Sequence, residues 1–206
     1  MKDFRPPLIL RNRHVQTILN SLKLRKPLVI HRAKPMLKAA RSHILDCGQG
    51  VRLQGYYSPR PEPGKDLCIL IHGWEGSADS MYLTSAAGFL WNTGFDVFRL
   101  NLRDHGRTHH LNRELFHSCR IAEVVGAVKK IEEIFPHRRL LIAGFSLGGN
   151  FALRVAVRAP AAGIRLDHAA GVCPVLYPPN AMAAMENGLF IYHLYFLRKW
   201  RKSLAI

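Results

Sequence analysis

Acidic residues are scarce in this chain. Fourteen Asp and Glu stand against 30 Lys and Arg, leaving a net charge of +16 over 206 residues. The shortage is local. Residues 1–43 carry 11 Lys and Arg and a single acid, Asp3, and RKWRK at 198–202 carries four cations and no acid. The rest is near neutral, so the excess sits in a leading arm and a trailing end. Such ends attract anionic surfaces. The arm has no run of five or six cations and no nucleic-acid motif accompanies it, so a nucleic-acid partner is not expected. Cysteine is sparse too. Cys47, Cys68, Cys119 and Cys173 contain no CxxC pair, which argues against a disulfide framework or a zinc site. Cys68 and Cys173 lie in apolar runs and read as small core residues. Long apolar runs are missing as well. The N-terminus is too broken for a signal peptide, and LFIYHLYFL at 189–197 is too short to span a bilayer. A reducing, cytoplasmic setting is the default expectation.

What is present is an alternation. SHILDC (42–47) and VRLQGYYS (51–58) flank GQG and read as a hairpin. Apolar runs at 66–73 and 139–145 read as buried strands, and those at 95–103 and 166–175 as two further strands. Helical stretches separate them at 80–94, 121–135 and 147–160. The second is the clearest, with Ile121, Val124, Val125, Val128, Ile131, Ile134 and Phe135 on one stripe and Pro136 ending it. In the third, Phe151, Ala152, Val155 and Ala156 face inward. Strands alternating with helices predict an α/β fold with a mostly parallel sheet covered on both faces. Three regions are expected: a basic arm (1–43), irregular and proline-interrupted, packing on the body; a core (44–179); and the start of a helical cap (180–206). Right-handed crossovers place the C-terminal ends of the parallel strands on one side, where ligand chemistry gathers.

One motif points to chemistry. Gly144-Phe-Ser146-Leu-Gly148 fits G-x-S-x-G, a sharp turn that lifts a nucleophilic serine above a sheet. The glycines two before and two after the serine approach the turn too closely for a Cβ, and the Leu147 N–H opens a helix where negative charge is favoured. The run before it reads as a buried strand and the run after it as a small-residue helix, as the motif requires. A second stretch, ILIHGWEGS (69–77), ends a strand in His72-Gly73 and enters a loop, where His72 is read as a brace. A third, NLRDHGRT (101–108), carries Asp104 and His105, read as a loop-stabilising network.

With PPLILRNRHVQTIL, LIHGWEGSADSMY, RLNLRDHGRT and LLIAGFSLGGNFALR, the chain resembles the YheT-like branch of the alpha/beta-hydrolase superfamily over nearly its whole length. The resemblance implies hydrolysis of carboxylic esters, short-chain or acylglycerol-like, without a cofactor. It implies Ser146 as nucleophile and the backbone N–H groups of Trp74 and Leu147 as the oxyanion hole, with Gly73, Gly144, Gly148 and His72 in support. In such proteins the arm packs along the body, which makes Arg13, His14 and Gln16 structural. His72 also precedes the serine, against the Ser…acid…His order of that fold.

The triad does not continue as that pattern requires. After Ser146 the only acids are Asp167 and Glu186 and the only histidines are His168 and His193. Asp167 and His168 precede the last strand, so they are expected at the far edge of the sheet from Ser146. His193 sits in an apolar run and is expected to be buried. The sequence therefore reads as an incomplete hydrolase lacking the last strands, its catalysis impaired and a sheet edge open to association. A non-catalytic fragment docking on a partner chain or a membrane surface is the alternative.

Overall fold

A computed structural model describes residues 5–204 apart from 13, 17, 18, 20, 21, 63 and 64. Six strands form one sheet in the order β1-β2-β4-β3-β5-β6. They are β1 (Arg41–Asp46), β2 (Arg52–Ser58), β3 (Leu67–Ile71), β4 (Asp96–Leu100), β5 (Leu140–Phe145) and β6 (His168–Val172). The hairpin β1–β2 joins β4 antiparallel, and β4, β3, β5 and β6 run parallel. β3 is apolar throughout because both its faces are covered. Leu67, Ile69 and Ile71 enter one core and Cys68 and Leu70 the other. Helices α3 (Ile121–Ile134) and α4 (Leu147–Arg158) pack on the first face. Helices α1 (Lys26–Ala39) and α2 (Met81–Asn92) pack on the second.

The helix α1 corrects the expectation of an irregular leading arm, and β1 already begins at Arg41, inside it. Pro27 is harmless in the first turn. Pro35 lies inside the helix, where it removes a backbone donor. Packing outweighs that loss. Val29, Ala33 and Met36 are buried, and Gly88 of α2 lets Ala33 approach so closely that a Cβ there would lie 2.8 Å from the Ala33 Cβ. The stripe of α3 also ends earlier than its periodicity predicts. Ile134 is exposed, whereas Phe135, beyond the helix, is buried with its ring 4.2 Å from Tyr57 and 4.9 Å from His43.

Carboxylates hold the starting ends of the strands. Asp66 accepts from Arg138 Nε at 3.0 Å and Arg139 Nη2 at 2.6 Å. Those two hydrogen bonds hold its carboxyl well below the usual carboxylate range. Asp96 accepts from the Tyr57 hydroxyl at 2.7 Å and the Arg60 N–H at 2.6 Å. Asp167 accepts from the Leu140 N–H at 2.8 Å. β6 is the outermost strand, and Ala169, Ala170 and Val172 on it are exposed. Cys173 is likewise exposed, not a core residue, while Cys68 is buried. Two helices follow, α5 (Pro178–Glu186) and α6 (Phe190–Leu204). No described helix is long and apolar enough to cross a membrane.

Candidate active site

The serine turn is built from both sides. A Cβ on Gly144 would collide with the Gly148 carbonyl, and one on Gly148 with the carbonyl of His72. Glycine at these two positions is what lets β5 turn at once into α4 beneath the end of β3. Between them Ser146 takes φ 53° and ψ −117°, a conformation that L-residues adopt at a cost on the order of 1–3 kcal/mol. The surroundings hold it there. Its N–H donates to Val172 O at 2.9 Å, and its carbonyl accepts from Asn150 and Val175. Asn150 Nδ2 in turn donates to Val175 O at 2.8 Å. Ser146 is left exposed at the C-terminal edge of the sheet.

The loop after β3 runs beside it. A Cβ on Gly73 would lie 3.3 Å from the Ser146 Cβ, so the backbone entering Trp74 abuts the serine. Gly73 N–H donates to the Tyr82 hydroxyl at 2.8 Å, and Gly76 N–H to Gly73 O at 3.0 Å. Among the described residues neither the Trp74 N–H nor the Leu147 N–H meets an acceptor. Two unspent donors on the two segments that flank an exposed serine are the arrangement that an anion arising at a carbonyl requires.

Two histidines hold these loops by a reciprocal brace. His72 Nε2 accepts from the Leu102 N–H at 3.1 Å, so its proton sits on Nδ1 and is donated to Gly73 O at 2.7 Å. His105 Nε2 accepts from the Glu75 N–H at 3.2 Å, and its Nδ1 donates to Arg103 O at 2.6 Å. Each ring thus ties the end of one strand to the loop of the other, with ring centroids 4.9 Å apart. Burial pushes both below the ordinary histidine range, His72 to about 3. With both nitrogens engaged, neither is a base for Ser146. The sequence pointed to His72 as a brace and to His105 as part of a loop-stabilising network, but not to their reciprocal pairing. The available signal was the repeated His-Gly after a strand, at 72–73 and 105–106.

Asp104, at φ 60°, accepts from the Phe116 N–H at 2.8 Å. Arg103 beside it is buried against Glu123, with Nη2 2.7 Å from Oε2. Both belong to loop architecture. Asp167 and His168 lie at the start of β6, six residues of β5 away from Ser146, on the order of 20 Å. His193 is exposed, not buried, and stacks on Phe190. Among the described residues the Ser146 hydroxyl has no hydrogen-bond partner, and no group of three or more His, Cys, Asp or Glu is placed to hold a metal.

The helix α6 meets this edge. Phe196 stacks on Trp74 with centroids 5.2 Å apart and planes at 7°. Lys199 Nζ donates to Glu75 O at 3.3 Å, and Ser203 Oγ lies 3.3 Å from His109 Nε2. The arm joins in through His14, whose Nδ1 is 2.9 Å from the Tyr192 hydroxyl. Gln16 bonds the Leu10 carbonyl, and Arg13 lies outside the described residues.

The family description "alpha/beta hydrolase fold" matches residues 67–204, from the first residue of β3 to the end of α6. The chain belongs to the alpha/beta hydrolase family. Solved structures with this fold include the esterase Pf2001 of Pyrococcus furiosus, 20% identical over 73% of this chain with a TM-score of 0.60. The esterase Est22 is 17% identical over 79%, also at 0.60. Est1E from Butyrivibrio proteoclasticus is 20% identical over 70%, at 0.54. This alpha/beta-hydrolase-fold chain spans 57%, 52% and 55% of the lengths of those three chains. A search of curated proteins finds no match.

Proposed function

We propose that this chain carries the nucleophile half of a serine hydrolase acting on carboxylic esters, in the YheT-like branch of the family. The observation that carries the reading is the turn at Ser146. It is a strained, exposed serine at the end of a buried strand, flanked by the open N–H groups of Trp74 and Leu147. Ser146 Oγ attacks the ester carbonyl. The two N–H groups take up the negative charge of the tetrahedral intermediate, and the alcohol leaves. Water then releases the acid. That three similar structures are described as esterases supports the reaction class. The apolar side chains of Leu147, Trp74 and Phe196 around the turn suit an acyl chain, short or acylglycerol-borne.

The proton relay needs a base outside the described residues. In a comparable hydrolase, removing the histidine costs about 10⁶ in turnover, while oxyanion and binding effects retain roughly 10³–10⁴ over water. This chain alone is therefore expected to be slow. Hydrolysis of p-nitrophenyl butyrate by the wild-type chain and by Ser146→Ala, with added imidazole standing in for the base, tests the assignment. Without imidazole the two proteins should share the same slow rate, because that rate comes from oxyanion and binding effects. With imidazole, a rate above the imidazole background that Ser146→Ala lacks is the expected result, and an equal response of the two proteins sinks it.

A further inference from the structure

We infer that the outward surface of α6 is a docking site for an anionic lipid surface. The faces of this helix have different partners. Tyr192, Phe196, Lys199 and Ser203 recur at helical spacing and meet His14, Trp74, Glu75 and His109. Beside that face lie apolar side chains that nothing described covers. Phe190 is 70% exposed, Ile191 60% and Tyr195 47%, while Trp200, 49% exposed, lies on the opposite flank of the helix. A hollow of about 400 Å³ runs along Ile191, Leu194, Tyr195, Arg198 and Lys199, apolar at one end and cationic at the other. Residues 187–206 contain no Asp or Glu.

Aromatic and aliphatic side chains interleaved with cations on an amphipathic helix suit the boundary between headgroups and acyl chains. Each Lys or Arg near an anionic surface contributes about 1 kcal/mol. The same cations disfavour self-association, because a second copy of this surface offers them no acid to pair with. Charge complementarity therefore selects an anionic bilayer as the occupant. Since the inward face of α6 rests on Trp74, docking would hold the Ser146 edge close to the lipid. The inference stands whether or not Ser146 is a nucleophile.

The test is co-sedimentation of the full chain with phosphatidylcholine vesicles, with and without phosphatidylglycerol. Binding is expected to the anionic vesicles alone and to weaken with salt. Arg198→Glu with Arg201→Glu, both exposed and without a described bond, should cut partitioning about 20-fold or more. Lys34→Glu with Lys38→Glu on α1 should change it less than about twofold, with the thermal melt of both variants unchanged. Equal binding to neutral vesicles overturns the inference. So does undiminished binding by the α6 variant, or pelleting without lipid that Ile191→Ser abolishes, which would make a second copy the occupant.

Discussion

The two ends of the parallel sheet are built on opposite plans. At the starting ends of the strands, Asp66, Asp96 and Asp167 each accept hydrogen bonds, and the backbone there is relaxed. At the finishing ends, non-glycine residues with positive φ follow every parallel strand: Glu75 after β3, Asp104 after β4, Ser146 after β5 and Cys173 after β6. There, two backbone donors stand open and one hydroxyl is unpartnered among the described residues. One end spends its polar groups on holding strands together, and the other keeps them available under strain. Strain of that kind persists only where surrounding contacts enforce it, and it gathers at functional sites. This is why Asp167, correctly ordered after Ser146 for a triad acid, belongs to scaffolding: it sits at the wrong end.

The largest effect is expected from forcing a side chain into the strained end. Gly148→Ala drives a methyl group into the carbonyls of Ile71 and His72, which belong to a buried strand end and cannot retreat cheaply. Urea unfolding should show a loss of about 3 kcal/mol; a loss below 1 kcal/mol would mean that the turn is looser than the geometry requires.

The two ends should also fail at different pH. His72 is neutral in the folded chain, with its pKa lowered by burial to about 3, against an unfolded value near 6.5. The unfolded state takes up the proton first, so stability present at neutral pH drains away as pH falls from 6.5 toward 3. The slope is about 1.4 kcal/mol per unit, or roughly 2–3 kcal/mol between pH 6.5 and 4.5. Asp66 acts lower. Its folded pKa lies well below the ordinary carboxylate value of 3.8, so its contribution is complete above that pH and lost beneath it. Unfolding free energies across this range should show His72→Asn flattening only the upper limb. An unchanged upper limb in that variant would remove the histidine from the account.

The smallest effect is expected at Ser146 itself. Ser146→Gly relieves the positive φ and should raise stability by about 1 kcal/mol, partly offset by the flexibility that glycine adds to the unfolded chain. A loss of stability would show that the Ser146 side chain supports the fold.

The elbow was legible because its requirements are local: small residues two positions either side of the serine, an apolar run before and a helix after. α1 was not legible. Pro35 argues against a helix in a local reading, and the decisive contact is that of Ala33 with Gly88, 55 positions away. The reciprocal bonds of His72 and His105 were hidden for a related reason. A histidine's partner is a backbone group supplied by another loop, which no spacing along the chain reveals.

Sequence alone determined the alternation of strand and helix, the corner at Ser146 and the position of the cations, because these depend on short-range sterics, periodicity and charge. Tertiary structure decided which carboxylates are scaffold, which histidines are braces and what α6 rests upon. Those outcomes depend on which end of the sheet each residue reaches, and that is fixed only when the strands assemble.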